Sequence, residues 1–308
     1  MNDVNPMLPT VTVAVSAFNE AQNIAAWLTS VLSQREEGFV LERIIVVSDG
    51  STDATADIAR AVTSGKVEVW KHHERVGKSS RLNEVYSSLT SDILVQSDAD
   101  VILAHPYVIR DLIQPLLTDS SVGMCGGNSK PLPARTFTER AAHCTFEALS
   151  PFRIEVGGGH NVFSAEGSLL AYRREMIQRV SIPHDMFADD HYVYFSCITA
   201  GWAYRHVPSA VVYFRLPQTL RDHVMQSTRI LAFPLHMSRY FPKELVQREY
   251  SVSRRLKLKK MLQQFVRHPV LCGYIFLINR YCQLRAFFLE SKLTALWQTV
   301  PTTKRLDS

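Results

Sequence analysis

The sequence predicts an α/β fold, with a Rossmann-like, mostly parallel central sheet flanked by helices. Three observations predict it. Short β-branched, apolar runs recur at 11–15, 43–47, 67–70 and 93–96. Between them lie segments whose apolar residues repeat at helical spacing. The loops that join the two kinds of segment are short and rich in turn residues. Alternation of this kind calls for a parallel sheet covered on both faces.

Each element has its own signal. Val11-Thr12-Val13-Ala14-Val15 reads as a buried strand, and Ser16 to Glu20 follows as a loop. Ile24, Trp27, Leu28 and Val31 place one face of a helix over 21–31. Arg43-Ile44-Ile45-Val46-Val47 is the second strand. It runs into Ser48-Asp49-Gly50-Ser51-Thr52-Asp53, a cluster of turn and capping residues in which Asp53 suits helix capping. A helix over 54–62, a strand at 67–70, a helix over 77–89 and a strand at 93–96 complete the alternation. The last strand leads into Ser97-Asp98-Ala99-Asp100.

Composition narrows the class. The chain has 308 residues, 46% of them apolar and 20% charged, enough to bury a sizeable core. Five cysteines without a Cys-x-x-Cys pair argue against structural zinc or a disulfide framework and fit a reducing compartment. Met1 to Pro6 has no basic region followed by an apolar core, so no secretory signal is expected. Charge is uneven: residues 253–308 carry eleven Lys or Arg and two acids, a net +9 against +5 for the whole chain.

The acids stand where such sheets bind ligands. Ligands of open α/β sheets sit beyond the carboxyl ends of the strands. Glu20, Asp49, Asp98 and Asp100 all follow strands closely, so the topology gathers them at one edge. Paired carboxylates there suit a hard divalent cation with room left for phosphate. Two rival phosphate motifs fail. Gly77-Lys78-Ser79 would end a P-loop, but His72 stands where that loop needs glycine. No Gly-x-Gly-x-x-Gly follows the first strand.

Seven segments in order resemble family 2 glycosyltransferases. They are Val15 to Glu20, Ser48 to Asp53, Gly77 to Asn83 with Ser97 to Asp100, Glu166 to Arg173, Ala188-Asp189-Asp190, and Gln226 to Ile230. The resemblance implies a GT-A fold over 9–232, with a nucleotide-sugar-binding half (9–103) and an acceptor-binding half (104–232). It implies a UDP-sugar donor of the glucose, galactose or N-acetylglucosamine type, and Mg²⁺ or Mn²⁺ as cofactor. Asp100, with Asp98, would hold the metal. Ser16, Phe18, Glu20, Asp49, Lys78, Asp98, Gln226 and Arg229 would hold the nucleotide sugar: Asp49 on the base, Asp98 on the ribose, Lys78 and Arg229 on the diphosphate. Asp190, supported by Asp189, would be the catalytic base of an inverting transfer. Ile230 replaces the tryptophan of processive members, so transfer of a single sugar is expected. A non-catalytic nucleotide- or glycan-binding subunit is the alternative, and the intact Asp98, Asp100 and Asp190 argue against it.

Residues 233–308 are expected to form a basic, apolar helical tail at a membrane interface. Arg254 to Lys260 is a basic cluster, and aromatic residues crowd the segment after it. The longest uncharged stretch, 268–279, is about half of the ~20 residues that span a bilayer. The segment therefore reads as lying on the anionic cytoplasmic face of a membrane rather than crossing it. A lipid-linked or oligosaccharide acceptor follows, along with a cytoplasmic, peripheral location. A homo-oligomer or a polysaccharide-assembly complex is compatible. Nucleic acid is not expected, because apolar residues dominate the tail.

Overall fold

The computed structural model of the protein describes residues 8–294, 296, 300–304 and 306. The expectation about the first residues, and the remainder of the tail, lie outside these. In chain order the regular elements are β1 (Thr10–Ala17), α1 (Ile24–Leu32), β2 (Val40–Asp49), α2 (Thr55–Ala61), β3 (Val67–His72), α3 (Lys78–Ser87), β4 (Ile93–Ser97) and β5 (Val101–Leu103). Next come α4 (Val108–Thr118), β6 (Val122–Pro131), α5 (Phe137–Glu155), β7 (Leu169–Arg173), α6 (Arg174–Ile177), α7 (Asp189–Thr199) and β8 (Ala203–Phe214). Four helices close the chain: α8 (Leu220–Met237), α9 (Lys243–Glu249), α10 (Arg254–Arg267) and α11 (Pro269–Leu289).

The strands form one eight-stranded sheet in the order β3-β2-β1-β4-β7-β6-β8-β5. Neighbours β3-β2-β1-β4 are parallel, as are β6 and β8. β7 runs antiparallel between β4 and β6, and short β5 is antiparallel to β8. The sheet is thus mostly parallel, as the strand–helix alternation predicted. β2 and β3 lie on one side of β1 and β4 on the other, which makes the β1/β4 boundary the topological switch point. The crevice beyond the carboxyl ends of these two strands is where Phe18 to Glu20 and Asp98 to Asp100 emerge.

Both faces of the sheet are buried, and alternation along β1 shows how. Val11, Val13 and Val15 point into one core with Ile24, Trp27 and Leu28 of α1 and Ile109, Leu112 and Leu116 of α4. Ala14 points into the other, with Leu82, Val85 and Tyr86 of α3 and Val193 and Phe195 of α7. A strand buried on both faces reads as a continuous apolar run, which is why 11–15 carries almost no polar residues. Two buried side-chain pairs tie the layers together. Trp27 Nε1 donates to Ser97 Oγ at 2.7 Å, and Tyr86 OH donates to Gln96 Oε1 at 2.7 Å. These bonds fix α1 and α3 to the end of β4, directly under the site.

Two expectations need adjustment. β1 continues through Ser16 and Ala17, so Ser16 is a strand residue paired with Val47 and the loop starts at Phe18. The tail is not a separate unit. α8 runs through position 232, and α11 packs one face on α5 and α8. That face is Ile275, Asn279, Cys282 and Ala286, at helical spacing. Asn279 docks it, with its Oδ1 2.9 Å from His223 Nε2 and its Nδ2 donating to Thr145 Oγ1 at 3.2 Å. All five cysteines are free. Among the described residues, no helix is long and apolar enough to cross a membrane.

Candidate active site

Four loops deliver the site. The first follows β1, where Asn19 adopts φ 55°. Asparagine tolerates this left-handed conformation better than most residues. Its side-chain Oδ1 accepts from Thr52 N–H at 2.9 Å, which ties the loop to the turn after β2. Glu20 then turns inward. Its backbone carbonyl accepts from Asn23 and Ile24 N–H and starts α1, while its Oε2 accepts from Asn23 Nδ2 at 3.0 Å. Burial pushes the Glu20 carboxyl up, and Lys304 pulls it back down.

The second loop follows β2. Gly50 has φ +66°, and a Cβ there would lie 2.6 Å from the Arg75 backbone nitrogen, so only glycine fits. Asp49 is fully buried. Oδ1 accepts from Val76 N–H at 2.9 Å and from Arg81 Nε at 2.8 Å, and Oδ2 accepts from Gly77 N–H at 2.8 Å. Asp49 therefore fastens the loop after β3 to the start of α3. Asp53 stands one residue before Ala54, the N-cap of α2, and its Oδ1 accepts from the first helical N–H, that of Thr55, at 3.0 Å.

Removing Arg81 leaves the Asp49 carboxylate in the interior with its ion partner gone. Arg81→Leu is expected to cost about 3–5 kcal/mol of stability. Chemical denaturation reads this directly, and an unchanged unfolding midpoint would show that the buried pair contributes nothing.

The third and fourth loops complete the cluster. Lys78, the first residue of α3, has its Nζ 2.7 Å from Asp98 Oδ1 and 3.1 Å from Asp189 Oδ2. Burial works against the Lys78 charge, but Asp189, Asp98 and Asp190 outweigh it and raise its pKa. Asp98 and Asp100 leave the end of β4, and Asp189 and Asp190 open α7, where a helix N-terminus favours negative charge. Asp190 Oδ2 accepts from Gly167 N–H at 2.9 Å and its Oδ1 from His191 N–H at 2.8 Å. Burial pushes the Asp189 carboxyl up, against the opposing pull of Lys78. Asp100 is pushed up to about 7, first by burial and then by Glu20 and Asp98.

The sheet register explains why Gly167 reaches Asp190 and the donor-side acids together. β7 runs antiparallel to β4 with Leu169 opposite Ser97, so the residues before β7 lie beside those after β4. A Cβ on Gly167 would sit 3.3 Å from Lys78 Nζ, 3.5 Å from Asp190 Oδ2 and 3.6 Å from Asp98 Oδ2. On α8, burial lowers the pKa of Arg229, while the charges of Asp190, Asp189, Asp98 and Asp100 raise it. Gln226 shares that helix face, half-buried. Phe18 lies at the rim with the Arg75 guanidinium 3.9 Å above its ring.

The structure thus gathers Glu20, Lys78, Asp98, Asp100, Asp189, Asp190 and Arg229 around one crevice. Four contributors went unassigned in the sequence. Arg81 lies inside a motif segment but carried no separate signal. Glu166 and Gly167 also lie inside a motif segment, but the Gly167 amide contact, the Arg153–Glu166 ion pair beside it and the Lys304 contact are tertiary and had no separate signal. The donor set suits a hard cation: Asp98 and Asp100 offer carboxylate oxygens, and the crowding that pushes Asp100 up is what a cation would relieve. Among the described residues, no three His, Cys, Asp or Glu side chains form a metal cage. A Mg²⁺-type ion needs only one or two carboxylates when phosphate oxygens complete its shell.

The model for glycosyl transferase family 2 matches residues 12–181, which is more than half of the chain. The chain belongs to glycosyl transferase family 2. This family 2 glycosyltransferase is 33% identical over 119 residues to a glucosyl-3-phosphoglycerate synthase of Mycobacterium tuberculosis, a match covering 37% of this chain and 36% of the relative. It is 25% identical over 243 residues to an N-acetylglucosaminyltransferase of Bradyrhizobium diazoefficiens, covering 72% of this chain and 48% of the relative. The matches therefore span from about a third to a half of the curated relatives' length. Among solved structures, a mannosyltransferase from Pyrobaculum calidifontis in complex with GDP-Man and Mn²⁺ aligns with TM-score 0.57 and 20% identity, over 94% of this chain and 76% of that one. The M. tuberculosis synthase with Mn²⁺, UDP and phosphoglyceric acid aligns with TM-score 0.52 and 22% identity, over 75% and 78%. These alignments establish the GT-A-type fold.

Proposed function

We propose that this family 2 glycosyltransferase moves one sugar from a UDP-sugar to an acceptor hydroxyl, with inversion at the anomeric carbon. The observation that carries the reading is the separation of two carboxylate pairs by one lysine. Asp98 and Asp100 stand on the side of the nucleotide loops, Asp189 and Asp190 open α7, and Lys78 touches a member of each pair. An inverting displacement needs this division, with groups that hold the leaving diphosphate on one side of the sugar and a proton acceptor on the other.

Asp100 and Asp98 would hold Mg²⁺ or Mn²⁺, which when bound supplies charge stabilisation to the diphosphate. Lys78 and Arg229 add positive charge nearby. The acceptor oxygen forms the new bond to the anomeric carbon as the bond to the diphosphate oxygen breaks. UDP keeps that electron pair, and Asp190 takes the acceptor's proton. The Gly167 and His191 amides hold the Asp190 carboxylate in place, and Asp189 stays bound to Lys78. Phe18, Glu20 and Asp49 would face the nucleoside end, with Ser16 near the end of β1 beneath them. Support for UDP comes from the mycobacterial relative, whose structure contains UDP. The test is UDP release with Mn²⁺ across UDP-glucose, UDP-galactose and UDP-N-acetylglucosamine, with GDP-mannose as control. Turnover of GDP-mannose alone overturns the donor assignment.

The acceptor end of the reading rests on α10 and α11. Leu258, Met261, Leu262 and Phe265 form an i, i+3, i+4, i+7 stripe on α10, yet the stripe faces solvent, with Leu258 68% and Leu262 64% exposed. On α11, Leu277, Leu284 and Phe288 are exposed on the side away from the packed face, Phe288 by 72%. Arg254, Arg255, Lys257 and Lys259 flank the first stripe. Apolar stripes bordered by cations match an anionic bilayer surface, so a lipid-linked or membrane-borne glycan acceptor and a peripheral position at the membrane follow. The protein is expected to pellet with phosphatidylglycerol vesicles and not with phosphatidylcholine vesicles, and Leu262→Glu should weaken binding about tenfold. Protein left in the supernatant with anionic vesicles, or self-association through this face instead, overturns the membrane reading.

A further inference from the structure

The last described residues return to the site from the far end of the chain. Residues 300–304 and Leu306 run from the start of α8 to the start of α1. Thr302 N–H donates to Asp222 Oδ2 at 3.2 Å, and Thr302 Oγ1 accepts from Gln218 N–H at 3.2 Å. At the other end Leu306 N–H donates to Asn23 Oδ1 at 3.4 Å, and its carbonyl accepts from Arg215 Nη2 at 3.4 Å. Val300 and Leu306 are buried. Between these anchors Lys304 enters the crevice. Its Nζ lies 2.6 Å from Glu20 Oε1, donates to the Phe18 carbonyl, and lies 3.3 Å from the Asn19 carbonyl. The Lys304–Glu20 pair is largely buried.

Two consequences follow from chemistry alone. The Glu20 carboxylate, with Lys304 on Oε1 and Asn23 on Oε2, is engaged on both oxygens. Added positive charge at Asp98 and Asp100 would also meet the Lys304 ammonium in a poorly solvated crevice, where like charges repel strongly. Segment and donor therefore compete for Glu20 and for the same rim.

We propose that residues 300–304 and Leu306 form a strap that closes the donor pocket of the donor-free enzyme, with Lys304 neutralising Glu20, a carboxylate the donor complex needs, and that nucleotide and metal bind only once the strap has left. The proposal rests on the donor-site reading above and adds its regulation. A competent state hidden in most molecules lowers the apparent affinity by its population, so a strap closed in about nine molecules of ten weakens donor binding about tenfold. Any agent that draws the strap away activates the enzyme without touching the catalytic residues.

The full chain and Lys304→Met are compared by calorimetric titration with UDP in the presence of Mn²⁺. The strap predicts about tenfold tighter binding by the variant. In the unsubstituted protein, hydrogen exchange at the amides of 302–304 should speed up when UDP and Mn²⁺ are added together. Equal or weaker binding by Lys304→Met, or exchange at 302–304 that is unchanged or slowed, overturns the strap while leaving the donor site intact. Absence of UDP binding in both proteins overturns the donor-site reading, and the strap with it.

Discussion

Asp190→Asn is expected to leave UDP-sugar binding intact and to lower kcat by about 10²–10⁴-fold, the contribution of a positioned general base. The substitution conserves shape. The carboxamide oxygen can still accept from the Gly167 or His191 amide, so the loop before β7 and the start of α7 keep their places. What disappears is the capacity to take a proton from the acceptor hydroxyl. Donor affinity should stay within about twofold, because Asp190 touches neither Asp98 nor Asp100 directly. Calorimetry with UDP and a transfer assay read the two quantities separately. Full activity in the variant would move the base elsewhere, with Asp189 the next carboxylate in reach and already bound to Lys78.

Asp100→Asn should have the opposite signature. Binding of UDP in the absence of metal changes little, whereas the enhancement by Mn²⁺ is lost. Groups that merely support a metal ligand are worth about 10–100-fold in metal affinity, so loss of a ligand should cost at least about 100-fold. Titration of the protein with Mn²⁺ and UDP, followed by the paramagnetic signal of the ion, measures this without relying on turnover. Chelating the metal from the unsubstituted protein should reproduce the variant's behaviour. Equal Mn²⁺ enhancement in variant and parent would remove Asp100 from the metal site. Together the two substitutions divide the acids into donor-holding and proton-accepting groups.

Much of the fold, and the gathering of these acids at one edge of the sheet, was legible in the sequence because it is written in local patterns. β1, β2 and β4 announce themselves as apolar runs, since a strand buried on both faces has nowhere to put polar residues. The acids just after those runs can only emerge at one edge of a parallel sheet. Lys78 was legible as a candidate through its motif, but its double contact with Asp98 and Asp189 was not. That contact depends on the start of α7 being held beside the start of α3, where Ser79 Oγ donates to the Met186 carbonyl at 2.6 Å, and no local pattern encodes it. β6 and β8 carried weaker signals, because Gly126 and Gly127 interrupt the first and Pro208 and Ser209 the second. In the tail, hydropathy could not say which helix face would pack. Asn279 decided it, by a polar contact to His223 that apolar spacing does not reveal. Lys304 was the least legible of all: its partner Glu20 is separated from it by nearly the whole chain.

The reversed direction of β7 bears on how such an enzyme can diversify. Pairing of Leu169 with Ser97 pins the Gly167 amide, and through it the Asp190 carboxylate, to the end of β4 whatever precedes it in sequence. The excursion between β6 and β7, which contains α5, is therefore framed at its return point by sheet hydrogen bonds rather than by its own length. Selection can lengthen, shorten or recompose that excursion while Gly167 and Asp190 keep their places at the end of β4.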